Sequence, residues 1–334
     1  MRKSTLLWLL IGLVVAGVSL AYFFHNVKPA ELRDNLLGTP VWEILAVVAL
    51  TLLTLWLRAI RWGLILPAGR GERNGLFGLI MVGFMVNNVL PARLGEVTRV
   101  LFLWKRNTFT IAESAGSVFL ERILDTTIYL SFFVIPILFI PRLRADHTLV
   151  KFAIPTACIS FAAVAGLLLY GLFPSFTKKT SRTLINLSPE KIRQRALNIG
   201  RELISNLAWI HSPVKCPFVI VLSVLIVACY PAMMIVLVHE AGFGILGGMF
   251  GSAWGAIGAS VPSPGYVGSL HAALKFGLVL LGIDPARAIS VAVIYHAVGY
   301  LTVTIVGLYY FTRMRISFKE IGRAKEELKK EEIK

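Results

Sequence analysis

VNNVLPARLGEVTRVLFLWKR, residues 86–106, places Asn87, Asn88, Pro91, Arg93, Gly95, Glu96 and Arg99 inside a chain that otherwise reads as membrane spans. Polar groups and helix breakers are costly at bilayer depth. They persist where protein buries them or where they line a wet cavity. The apolar segment Leu76–Trp104 is interrupted at Pro91–Glu96. Each arm is shorter than the about 20 residues that a crossing helix needs. The segment therefore reads as a re-entrant hairpin that enters the membrane, breaks and returns to its own side.

The rest of the composition agrees. Hydrophobic residues make up 56% of the 334 and charged residues only 16%, with a mean hydropathy of +0.74. That excludes an ordinary soluble domain. The formal net charge is +16, but the basic residues sit between spans. There they act as orientation signals and head-group contacts, so no nucleic-acid partner is expected. Cys158, Cys216 and Cys229 form no pair or metal spacing. No Walker loop or nucleophile elbow is present either, so neither a cofactor, a metal nor ATP-driven transport by this chain alone is expected.

In chain order, Leu6–Phe24 reads as a retained first span, since its run is long for a cleaved signal. Trp42–Trp62 is the second, and Arg58, Arg61, Arg70 and Arg73 are read as its basic cytoplasmic end. After the hairpin come spans at Ala112–Ile140 and Phe152–Phe173. A basic loop at 174–215 follows, in which Pro189–Ile210 has the spacing of an amphipathic surface helix. Pro217–Val238 and Pro285–Phe311 span again, and a charged cytoplasmic tail occupies 313–334. Between the last two spans, Gly244–Gly282 is broken at Pro262–Gly265 and is long enough for a second hairpin or for two crossings.

With both termini cytoplasmic, 24 lysines and arginines fall on the cytoplasmic side and six on the outer side, which sets the orientation. The expected fold is an all-α polytopic membrane protein of six to eight spans, a single domain over 1–312. Two inverted repeats, about 6–140 and 152–312, would each hold three transmembrane helices and a re-entrant hairpin. An offset of 174 residues lays Thr110–Gly116 on Asp284–Ser290. Broken helices meeting near the midplane are a transporter design.

The breaks carry the candidate chemistry. Pro91 lacks an amide N–H and Gly95 tolerates unusual dihedrals. A helix restarting there offers orphan N–H groups and a dipole that favour an anion. Arg93 and Arg99 add guanidinium forks suited to phosphate, with Glu96 as a charge partner. In the next span Glu121 and Asp125 share a face with Ser114 and Ser117, and Arg122 lies about 100° around the helix. This set suits a structural ion cluster, a proton relay or a head-group clamp. In the second break Pro262, Pro264, Gly265 and Gly268 bracket Tyr266, and the following arm opens with Ser269, His271 and, one turn on, Lys275. His296 stands at the repeat position of Arg122. Gly244, Gly248, Gly251 and Gly255 form a small-residue stripe for close helix packing, with room for a homo-oligomer.

Three segments carry a resemblance: NNVLPARLGEVTR at 87–99, ERILD at 121–125 and PSPGYVGSLH at 262–271. In this order and spacing the chain resembles the flippase-like membrane family found as the N-terminal membrane domain of bacterial phosphatidylglycerol lysyltransferase, the multiple peptide resistance factor. The resemblance covers essentially residues 6–312. It implies movement of lipid across the bilayer, and it gives no support for lysine transfer, since only a charged tail follows Phe311. Many relatives carry Glu where this chain has His271.

The leading expectation is thus a lipid translocase of the plasma (inner) membrane, acting on an anionic phospholipid or an isoprenoid phosphate. Arg93, Arg99, Arg122, His271 and Lys275 would hold the head group. Glu96, Glu121 and Asp125 would relay protons or pair charges. Asn87, Asn88, Pro91, Gly95, Pro262, Pro264, Gly265 and Gly268 would shape the breaks. A membrane-embedded lipid-modifying enzyme, and a non-catalytic partner of a lipid synthase or glycosyltransferase, are the alternatives.

Overall fold

The computed structural model describes residues 29–67, 75–90, 94–105, 109–173, 206–238, 242–261, 263–317 and 320–321. Among them there is no strand. Helix α1 is Pro29–Leu37, α2 Val41–Ile65, α3 Leu76–Val89, α4 Leu94–Trp104 and α5 Ile111–Phe139. Helix α6 is His147–Leu172, α7 Lys215–Leu237, α8 Gly244–Ser260, α9 Ser269–Leu280 and α10 Pro285–Arg313. Helices α2, α5, α7 and α10, with the His147–Gly166 part of α6, are long and apolar enough to cross a membrane. The expected first span, most of the amphipathic helix at 189–210 and the tail beyond 321 lie outside the described residues.

The four helices of the two broken segments are short. Helices α3, α4, α8 and α9 have 14, 11, 17 and 12 residues. At 1.5 Å per residue they reach about 17–26 Å, less than the ~30 Å hydrocarbon core. They pack in pairs, α3 on α4 and α8 on α9. Each broken segment is thus a pair of short helices packed on one another.

Local chemistry sets the helix starts. The side chain of Thr110 accepts from the Glu113 amide at 3.1 Å while Glu113 accepts from the Thr110 amide at 3.0 Å, a full capping box for α5. Asp284 caps α10 by accepting from the Ala286 and Arg287 amides at 2.9 and 3.1 Å. The two caps fall at the 174-residue offset, and each opens a helix of 29 residues.

Helices α2 and α7 lie side by side at the centre. Helix α3 packs on α10, α8 on α5, α4 on α5, α9 on α10, α1 on α10 and α6 on α5. The largest core cluster joins Ile226, Val227 and Met234 of α7 to Leu274 and Leu278 of α9 and Ile289 and Ala292 of α10. Helix α6 instead exposes Phe152, Ile154, Ile159 and Phe161, an apolar flank suited to lipid rather than water.

The glycine stripe is used within the chain. A Cβ on Gly248 would stand 2.8 Å from the Pro231 carbonyl oxygen, and one on Gly255 would stand 3.3 Å from Leu274, while one on Gly244 meets nothing within 4 Å. The stripe lets α8 close onto α7 and α9, so it serves internal packing.

One expectation is corrected. Arg58 and Arg61 do not belong to a cytoplasmic loop. Helix α2 runs on to Ile65, and the two side chains are buried inside the bundle. They are tolerated there because α5 supplies carboxylates opposite them.

Candidate functional site: a buried ion cluster beside a cavity

Ser114, Ser117, Glu121 and Asp125 recur every three or four residues on α5, and the structure buries all four. Facing them, α2 presents Arg58, Arg61 and Trp62. The Trp62 indole N–H donates to Ser117 Oγ at 2.9 Å. Asp125 takes two arginines: Arg58 bonds Oδ2, and Arg61 Nη1 stands 2.7 Å from Oδ1. Arg61 also donates to Ser223 Oγ on α7 at 3.0 Å, and its Nη2 lies 3.6 Å from Glu121 Oε1.

Helix α4 brings the first hairpin into this cluster. Arg99 bonds Glu121, and its guanidinium lies 4.2 Å from the Trp62 ring centroid, within cation–π range. Glu96, in the first turn of α4, pairs with Arg122 at 3.3 Å. This pair is the open edge of the cluster, with side chains 26% and 40% exposed, whereas Arg61 is fully buried.

The α3–α4 approach is close. Gly95 N–H donates to Asn87 Oδ1 at 2.7 Å. A Cβ on Gly95 would fall 1.9 Å from the Gly83 carbonyl oxygen. Asn87 thus occupies an opened-helix amide that the sequence offered to an anion. Pro91, Arg93 and Pro262 lie outside the described residues.

The second break is a short 3-10 turn, Pro264–Tyr266, followed by α9. Gly265 and Gly268 take positive φ of 59° and 84°, and Tyr266 follows at 61°, a conformation uncommon for a side chain of that size. The Gly268 amide donates to His271 Nδ1 at 3.4 Å. His271 Nε2 then carries the proton and donates to His296 Nδ1 at 2.9 Å. His296, 174 residues beyond Arg122, is the other half of this histidine pair. Lys275 lies buried on α9.

The two breaks meet. Asn88 Nδ2 donates to the Tyr300 carbonyl at 3.3 Å and to Thr304 Oγ1 at 3.2 Å, while the Tyr300 hydroxyl reaches the Asn88 carbonyl at 3.5 Å. A Cβ on Gly265 would stand 3.4 Å from that same Asn88 oxygen. Beside the junction lies a cavity of about 140 Å³ lined by Thr51, Thr54, Phe84, Asn88, Tyr230, Tyr266, Tyr295, His296 and Tyr300 among others. Phe84 is its wall toward the ion cluster, with Arg58 5.6 Å and Arg122 5.7 Å from its ring centroid.

Arg99, Arg122, Glu96, Glu121 and Asp125 are therefore brought together, whereas His271 pairs with His296, which lines the cavity. Arg58, Arg61, Trp62 and Ser223 complete the cluster and were not foreseen. The signal for the arginines was present: the apolar run Trp62–Leu66 continues beyond them.

Comparison with known proteins is consistent over nearly the whole chain. A UPF0104 membrane protein of Methanocaldococcus jannaschii is 26% identical over 235 residues, 68% of this chain and 92% of the relative. A UPF0104 membrane protein of Methanothermobacter thermautotrophicus is 32% identical over 122 residues, 35% of this chain and 36% of the relative. The model of the lysylphosphatidylglycerol synthase TM region matches residues 9–307. With that span matched, and with its apolar helices folded around polar breaks, the chain belongs to the lysylphosphatidylglycerol synthase TM region family of multi-pass membrane proteins.

Proposed function

We propose that this protein is a translocase for a phosphate-bearing membrane lipid, an anionic phospholipid or an isoprenoid phosphate. The observation that carries the reading is the arginine–carboxylate cluster at the middle of α5, beside a cavity where two broken helices meet. Asp125 lies 14 residues into α5, about 21 Å along it. Charge at that depth is costly and marks a path for polar cargo.

An inverted repeat accompanies the proposal. Exchanging α2 with α7, α3 with α8, α4 with α9 and α5 with α10 turns the packing of α3 on α10 into that of α8 on α5. It likewise turns α4 on α5 into α9 on α10. Two such halves, rocking about the central α2–α7 contact, would open the cavity alternately to each leaflet. We place both termini in the cytoplasm and the protein in the plasma membrane, from the distribution of basic loops. Glu96, Glu121 and Asp125 hold arginines, which speaks for charge pairing over general acid–base chemistry.

The test is reconstitution into liposomes with leaflet-labelled anionic phospholipids and polyprenyl phosphates. Protein-dependent exchange of one class supports the reading. No exchange of any lipid across the panel refutes it.

A further inference from the structure

The described ion cluster is not electrically balanced. Arg58, Arg61, Arg99 and Arg122 face Glu121, Asp125 and Glu96, four cations against three anions. Glu113, the next carboxylate along α5, is two turns and about 12 Å from Glu121 and is engaged in the Thr110 capping box. The surplus is local. Arg58, Arg61 and Arg99 share two carboxylates, Asp125 and Glu121.

Donors are in surplus as well. Arg58 Nε, Arg61 Nε and Arg61 Nη2 are buried without a hydrogen-bond partner among the described residues, as are the acceptors Glu121 Oε1 and Asp125 Oδ1, with the two arginines 4% and 0% exposed. Unpaired buried charge and unmet buried donors are both expensive. Together they describe a site short of one anion. The cavity lies one ring away: Thr54 lines it, Arg58 is one turn further along α2, and Phe84 stands between.

We infer that the cluster is a site for a single negative charge, the phosphodiester of a lipid head group, which reaches Arg58 and Arg61 from the cavity when the Phe84 ring turns aside. This deepens the translocase reading and rests on it for the identity of the anion as a lipid. A phosphodiester carries one charge and matches the surplus. A phosphate monoester carries about −1.5 to −2 and overshoots it. Arg58 and Arg61 are binding residues in this inference, and Asp125 sets the surplus they present.

The test uses the purified full chain in neutral detergent, titrated with short-chain phosphatidylglycerol, phosphatidylcholine and phosphatidic acid, with bound lipid read by native mass spectrometry. Phosphatidylglycerol, with a net charge of −1, is expected to bind about tenfold tighter than phosphatidylcholine, whose own choline cation offsets its phosphodiester, the size of a charge-assisted hydrogen bond. Arg58→Met balances the cluster and abolishes that preference. Asp125→Asn raises the surplus to two and turns the preference toward phosphatidic acid. Equal binding of all three lipids by the unmodified protein overturns the inference, as does a folded Arg58→Met that keeps the preference. Should Arg58→Met not fold, Asp125→Asn decides alone: an unchanged preference for phosphatidylglycerol means a purely structural cluster and refutes the site. Liposome exchange by the same preparation separates the two readings. Selective binding without exchange refutes translocation and supports the site, while exchange that does not depend on Arg58 does the reverse.

Discussion

Gly95→Ala isolates how tightly the first hairpin is closed. The added Cβ would fall 1.9 Å from the Gly83 carbonyl oxygen and 2.6 Å from Asn87 Oδ1. Both obstacles are on α3, and one is backbone, so a rotamer change does not relieve them. Ordinary contact requires α3 and α4 to separate by more than 1 Å. That breaks the 2.7 Å bond from Gly95 N–H to Asn87, worth about 0.5–1.5 kcal/mol. Overpacking adds about 1–3 kcal/mol. The sum, about 2–4 kcal/mol, corresponds to a fall in melting temperature of roughly 3–6 °C for a chain this long. The assay is thermal unfolding in detergent, with Gly166→Ala as the control because nothing lies within 4 Å of its added carbon. A Gly95→Ala protein that melts within 1 °C of the parent refutes the close approach.

Further outcomes follow from other contacts. Asp125→Leu leaves Arg58 and Arg61 without their shared carboxylate and is expected to cost about 3–5 kcal/mol, read in the same unfolding assay. Trp62→Phe loses the bond to Ser117 but keeps a ring beneath Arg99, so a loss of about 1 kcal/mol is expected, against about 3–5 for Trp62→Ala. Lys105 and Glu320 pair at 2.8 Å with side chains about a third exposed, and Glu320→Ala is expected to cost less than about 1 kcal/mol. His271→Glu keeps a polar partner for His296, which can switch tautomer and donate from Nδ1 to the carboxylate, whereas His271→Leu does not; lipid exchange should survive the first substitution and fall with the second.

The spans were legible because apolar runs and their caps are local features. Thr110 and Asp284 announce α5 and α10 in the residues that begin them. The shared face of Glu121, Asp125, Ser114 and Ser117 was legible too, since helical spacing fixes it. The partners were harder. Arg58 and Arg61 near the end of an apolar run resemble the basic flank of a span, and only carboxylates more than 60 residues away keep them inside. Nor does spacing reveal that Asn87 turns back onto Gly95, or that His296 meets His271 instead of taking a role like that of Arg122. Those contacts depend on how closely the hairpin arms approach, which small side chains permit without specifying.

Helix α10 has a mechanical consequence. His296, Tyr300 and Thr304 lie four residues apart on one of its faces, spanning about 12 Å. His296 receives the second hairpin through His271, while Tyr300 and Thr304 receive the first through Asn88. Both breaks are thus tethered to a single rod. Advancing that rod by one residue would turn the face through about 100° and release both hairpins in the same movement. The two tips behave as one latch, and α10 is its bolt.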